Sequence, residues 1–250
     1  MSRALIGLAL AAALLAGCGG DDDAAAPADR PRAQETATAT PSATPSAPPA
    51  PRGRSVRFRA ADGEPVTGAY ARAGKHAPGV VLLHEIRGGP DQWAALIPYL
   101  HAAGYATLAY QSRNSAIEKE RLPDALGAVR WLRDRDEVDP DRLALVGASI
   151  GASTAVYGMA TGARKRVDAA VALSPPDSGD IWSLQDHHRY RPHDLLLVSD
   201  EAESASAESM LDGAVRSDVM RSAGPGHGVV LLAEPGVREA ILAWLDERVR

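Results

Sequence analysis

Ser149 sits in Gly147-Ala148-Ser149-Ile150-Gly151, after the apolar run Leu143-Ala144-Leu145-Val146 and before the small-residue segment Ala152-Ser153-Thr154-Ala155-Val156. These types spell strand, sharp turn and helix. In that setting G-x-S-x-G is a nucleophile elbow, because glycines on both sides leave room for a serine held in a strained turn with its hydroxyl thrust outward. The chemistry available to such a serine is attack on an acyl carbon. A serine at its free pKa is a poor nucleophile, so the elbow predicts a base elsewhere in the chain.

Of the seven histidines, His227 is best placed. It lies in Gly224-Pro225-Gly226-His227-Gly228, a loop just before the terminal helical pattern, where a base can be delivered after the last strand. His187 and His188 fall in an irregular polar segment and read as surface residues. An imidazole acting as base needs a carboxylate to orient it and to stabilise its charged form. The apolar run Leu195-Leu196-Leu197-Val198 is followed by Ser199-Asp200-Glu201-Ala202-Glu203. Glu203 is the first candidate, because it stands a few residues past the strand end and just ahead of the next helix. Asp200, closer to the strand, is the alternative, and Asp177 after the preceding strand is a third. The negative charge that develops on the substrate oxygen needs two backbone N–H groups. Ile150, the residue after the nucleophile, supplies one, and the loop after Val80-Val81-Leu82-Leu83 should supply the other.

The elements that must hold these groups follow from periodicity. Ser55-Val56-Arg57-Phe58-Arg59 alternates, Asp62-Gly63 turns, and residues 66–71 offer a second strand, which together predict an antiparallel edge hairpin. Val80-Val81-Leu82-Leu83 is continuously apolar, as expected of a strand buried on both faces of a parallel sheet. A helix is predicted over residues 91–103, with Trp93, Leu96, Ile97 and Leu100 on one stripe and Gly104 as its stop. A strand over residues 105–110 follows, then a helix from Pro123-Asp124 carrying Leu126, Val129 and Leu132 inward, closed by Asp139-Pro140-Asp141. Strands at residues 169–173 and 195–198 and a final helix at residues 237–249 complete the alternation. Short connections and right-handed crossovers make this an α/β protein with a mostly parallel twisted sheet and helices on both faces.

The loop His84-Glu85-Ile86-Arg87-Gly88-Gly89, the segment AAGYATLAY and the run VDPDRLALVGASIG together resemble the dienelactone hydrolase branch of the α/β-hydrolase superfamily. The resemblance covers nearly all of residues 55–250, is strongest over residues 80–152 and is weak after Ser174. It implies the α/β-hydrolase fold, Ile86 as the second oxyanion donor, and Glu85 close beneath the nucleophile. Dienelactone hydrolases proper use a cysteine where this chain has Ser149, so the dienelactone substrate and thiolate activation by the loop glutamate do not carry over. Glu85 is then expected to be a buried, hydrogen-bonded residue, and Arg87 either meets an anionic substrate group or faces water.

Ahead of this domain, Arg3 and the apolar residues 4–16 form a signal-peptide pattern too short for a stable membrane span. Its end, Leu15-Ala16-Gly17-Cys18, looks like the lipobox of bacterial lipoproteins. That resemblance implies removal of residues 1–17, acylation of Cys18, and anchoring to the outer face of the bacterial cell membrane. Cys18 is the single cysteine, which excludes intrachain disulfides and thiolate chemistry in the domain. Residues 18–54 continue as an Ala/Pro/Thr-rich linker with seven of the 18 prolines and no apolar period, so disorder is expected there. Residues 55–250 form one domain.

A net charge of −5 and the lack of a long basic run argue against nucleic acid as a partner. No paired ligand spacing such as H-E-x-x-H is present, so no metal and no cofactor are required. The expected reaction is cleavage of a carboxylic ester or thioester of a small to medium acyl group, on a small-molecule substrate, through an acyl-enzyme at Ser149. A peptidase or acyl-aminoacyl hydrolase on the same fold is the alternative within enzymes. A tethered binding protein that retains the fold without turnover is the alternative outside them.

Overall fold

The structure, a computed structural model, describes residues 53–163 and 166–249. The signal-peptide pattern, Cys18 and almost all of the linker lie outside the described residues. Among the described residues, eight strands form one sheet, in which the fourth strand of the chain lies between the second and the third and all the others follow chain order. Strands β1 (Arg54–Arg59) and β2 (Pro65–Ala71) make the antiparallel edge hairpin that the alternation predicts, with Val56 opposite Gly68 and Phe58 opposite Val66. Strand β2 pairs antiparallel with β4 (Ala106–Tyr110). From β4 onward all pairings are parallel, through β3 (Ala77–Leu83), β5 (Val138–Ala148), β6 (Ala169–Leu173), β7 (Leu195–Ser199) and β8 (Asp218–Arg221).

The continuous apolar runs are explained by two cores, one on each face. Val81, Leu83 and Leu145 belong to one core, whereas Val80, Leu82 and Val146 belong to the other. Successive side chains of a strand point to opposite faces, so a strand covered on both sides must be apolar throughout. Burying each such Val or Leu contributes about 1.5–3 kcal/mol relative to leaving it in water. Helices α2 (Glu118–Arg133) and α3 (Ile150–Ala160) cover the first face. The second is covered by α1 (Ile97–Ala102), α6 (Val237–Val249) and two 3-10 turns, Pro90–Ala95 and Gly228–Ala233.

Three boundaries differ from expectation. The helix predicted over residues 91–103 is a 3-10 turn followed by α1, because Pro98 has no N–H to donate inside a continuous helix and fits in the first turn of a new one. Helix α2 begins five residues before Pro123 rather than at it, so the proline lies inside the helix. Asp139-Pro140-Asp141 belongs to β5, where pairing jumps from Ala77↔Val138 to Gly79↔Leu143 and leaves residues 139–142 as a bulge. The irregular segment after β6 contains α4 (Gly179–Asp186), started by Ser178, whose hydroxyl accepts from the Ile181 N–H at 3.1 Å. Helix α5 (Ser204–Ser209) and strand β8 complete the chain between β7 and the histidine loop.

Candidate active site

The elbow has the geometry its residue types demand. Ser149, between β5 and α3, has φ 52 and ψ −123, a left-handed conformation that a non-glycine residue adopts only when its surroundings force it. The surroundings are two glycines. A Cβ on Gly151 would fall on the carbonyl oxygen of Leu83, at the end of the neighbouring strand β3, and one on Gly147 would fall on the carbonyl oxygen of Gly151. Helix and strand therefore pack backbone to backbone. The Ser149 N–H donates to the Leu173 carbonyl at 2.9 Å, which ties the turn to β6.

His227 and Glu203 converge on this serine from two separate loops. His227 Nε2 lies 2.9 Å from Ser149 Oγ, and His227 Nδ1 lies 2.6 Å from Glu203 Oε1. The chain hydroxyl–imidazole–carboxylate thus runs Ser149, His227, Glu203. Asp200 is turned elsewhere: its carboxylate accepts the Gly226 N–H at 3.1 Å and the Glu203 N–H at 3.0 Å. The Gly226 N–H holds the Asp200 carboxyl below the usual aspartate range, against desolvation and with the Glu203 N–H adding to the effect. Asp200 so braces both the histidine loop and the backbone of the acid. Asp177 is bonded to the Ser206 hydroxyl. The imidazole is open to water, its side chain 49% exposed, whereas the Glu203 side chain is 33% exposed with its Oε2 buried.

Ile150 is the first residue of α3, and Ile86 lies in the loop after β3. Among the described residues neither N–H donates a hydrogen bond. Arg87 is exposed, with φ 56.

Beneath the Ile86 loop lies a buried polar group whose membership no spacing in the sequence announces. His84 accepts at Nε2 from the Ser112 N–H at 2.9 Å, and its Nδ1 is 2.6 Å from the Glu85 carbonyl. This pattern fits the neutral imidazole protonated at Nδ1. Burial, opposed by the Glu85 carbonyl and reinforced by the Arg121 charge, pushes the His84 pKa below its usual value. Arg121, also buried, donates to the His84 carbonyl at 2.9 Å and to Ser112 Oγ at 3.0 Å. Asp124 accepts from Ser112 Oγ at 3.1 Å and holds Arg113 through two nitrogens. Each member sits at the start of α2 or at the ends of β3 and β4, so only their tertiary meeting reveals the network.

Glu85 does not reach toward Ser149. Its Oε1 accepts the Val229 N–H at 2.8 Å, beyond the histidine, and its Oε2 accepts from Gln92 Nε2 at 3.1 Å. It is half-buried rather than fully buried. Among the described residues no group of three or more His, Cys, Asp or Glu side chains could hold a metal ion.

The sheet order and helix placement are those of the α/β-hydrolase fold, and solved structures agree. The chain is similar to an esterase of Pyrococcus furiosus, with TM-score 0.64 and 19% identity over 79% of this chain and 91% of that one. It is also similar to a dienelactone hydrolase of Anabaena variabilis, with TM-score 0.62 and 15% identity over 80% and 100% of the two chains. A thermostable carboxylesterase cloned from a metagenomic library gives TM-score 0.63 and 18% identity over 80% and 89%. No protein-family profile matches the chain. Uncharacterised proteins of Mycobacterium tuberculosis are 32% identical over 156 residues, covering 59% of this chain. The chain spans about half the length of these curated relatives, 54%.

Proposed function

We propose that this chain is a serine hydrolase that cleaves carboxylic esters or thioesters of small to medium acyl groups through an acyl-enzyme at Ser149. The observation that carries the reading is the unbroken contact chain from Ser149 Oγ through His227 to Glu203, with the serine held at φ 52. In the forward step Ser149 Oγ attacks the acyl carbon while His227 Nε2 takes its proton. Glu203 accepts the hydrogen bond from Nδ1–H and stabilises the imidazolium. The N–H groups of Ile86 and Ile150 meet the developing oxyanion, each worth roughly 3 kcal/mol in the transition state. The imidazolium then gives its proton to the leaving alcohol or thiol. Water, deprotonated by the same imidazole, attacks the acyl carbon; the acyl–Oγ bond then breaks, the carboxylic acid leaves, and the imidazolium returns the proton to Ser149 Oγ.

Ester cleavage is favoured by the esterases and the dienelactone hydrolase among the similar structures. The lipobox at Cys18 completes the proposal: an exported enzyme tethered by lipid to the outer face of the membrane, with residues 19–54 giving it reach. Hydrolysis of p-nitrophenyl acetate and butyrate, alongside labelling by a fluorophosphonate, tests the catalytic part. Both must be present in the wild type and absent in Ser149→Ala. A folded wild type that shows neither would sink the reading.

A further inference from the structure

Glu85 stands between the two loops that the proposed reaction has to hold in register. Its own backbone precedes Ile86, and its carboxylate caps the first turn of the 3-10 helix Gly228–Ala233, which starts directly after His227. Gln92 completes the arrangement. Its Nε2 donates to Glu85 Oε2 at 3.1 Å, and its Oε1 accepts the Glu85 N–H at 3.2 Å. The carboxylate is thereby held by one backbone donor from the histidine loop and one side-chain donor from the turn after the Ile86 loop.

Two glycines make space for this bracket. Gly228 has φ +60, and a Cβ there would land on Glu85 Oε1. A Cβ on Gly88 would land on Gln92 Oε1. Gly228, directly after the base, therefore serves a carboxylate arriving from the opposite loop as well as the turn itself. Both oxygens of that carboxylate are engaged with donors away from the nucleophile, so it has no proton-transfer task in this geometry.

We infer that Glu85 is a positioning residue: one side chain fixes the histidine loop against the loop of the oxyanion donor, setting the distance between base and oxyanion site. The inference rests on the hydrolase reading above and assigns Glu85 and Gln92 a task within it. Loop registers of this kind matter because a displacement of about 1 Å at a reacting centre costs about 10²-fold in rate.

The bond pattern supplies its own test. In Glu85→Gln the new amide can still accept from the Val229 N–H, but its NH₂ then faces the Gln92 NH₂. Flipping the Gln92 amide removes the acceptor for the backbone N–H of position 85, so one bond is lost in either orientation. Adding Gln92→Glu restores all three: the carboxylate at position 92 accepts both the new amide and the backbone N–H. We would measure kcat and KM for p-nitrophenyl butyrate, fluorophosphonate labelling rate and Tm, using the full chain in four forms: wild type, each single variant and the double.

The expected result is a fall of about 10- to 100-fold in kcat and labelling rate for each single variant, KM within about twofold, and recovery in the double to within about threefold. If Glu85→Gln does not fold, Gln92→Glu against the double still reads the rescue. Wild-type kcat in Glu85→Gln, or a double variant no better than the product of the singles, overturns the inference while leaving the hydrolase reading intact. A wild type with neither turnover nor labelling overturns that reading, and this inference with it.

Discussion

Ser149 Oγ lies 2.9 Å from His227 Nε2, although 78 residues separate the two along the chain. The serine is at the end of β5, near the middle of the sheet, whereas the histidine comes in from a loop after the edge strand β8. The hydrogen bond therefore depends on the histidine loop reaching back from the β8 edge to the end of β5, and on Glu203, which holds the imidazole from the loop after β7.

That acid gives the first prediction. Glu203→Gln should lower kcat for short esters by roughly 10²–10⁴-fold with little change in stability, because the amide cannot stabilise the imidazolium. Asp200→Asn should cost far less in kcat, under about tenfold, because Asp200 braces Gly226 and Glu203 without touching the imidazole. Steady-state kinetics of the two variants side by side separate these roles. Equal losses would mean that the acid has been assigned to the wrong residue.

The elbow glycines give the second. Gly151→Ala puts a methyl group on the Leu83 carbonyl and should destabilise the protein by about 1–3 kcal/mol while abolishing fluorophosphonate labelling. Gly74→Ala, at a position where a Cβ meets nothing within 4 Å, is the control and should be neutral in both. Urea unfolding and gel labelling read the two outcomes.

Acid should act through His84. Burial holds its folded pKa below the unfolded value, so the unfolded chain binds the extra proton more readily. Its contribution to stability is then intact above about pH 6.5 and declines as pH falls from there toward the folded pKa. Protonation at Nε2 would also remove the acceptor for the Ser112 N–H. Urea midpoints measured from pH 7.5 to 5 should show this slope in the wild type and lose it in His84→Asn. A wild-type midpoint flat across that range would contradict the assignment.

Chelation gives the fourth. Dialysis against EDTA should leave ester turnover within error of the untreated protein, since the proposed steps run on Ser149, His227, Glu203 and backbone N–H groups. A loss restored by a divalent cation would require a different mechanism.

The elbow was legible in the sequence because its constraint is local. Gly147 and Gly151 are demanded by backbone packing within a few residues of Ser149, and the apolar runs of β3 and β5 are demanded by burial on both faces. The edge hairpin and the span of α6 follow from the same period arguments. Elsewhere a local rule was outweighed. Pro123 reads as a helix start and lies inside α2, and β8, four half-exposed or exposed residues, has too little apolar pattern to read at all.

What only the tertiary structure decided is which groups meet. Asp200 and Glu203 are three residues apart in one loop, and either could pair with an imidazole on chemistry alone. The choice falls to Glu203 because Asp200 is drawn to the Gly226 and Glu203 N–H groups, a competition settled by where the histidine loop crosses β7. Glu85 is a parallel case: the sequence places it beside the oxyanion loop, and its partner, the Val229 N–H, lies 144 residues away. Local spacing specifies the strain of a turn, whereas a hydrogen bond between distant loops depends on sheet order and helix packing, which settle only when the whole chain has folded.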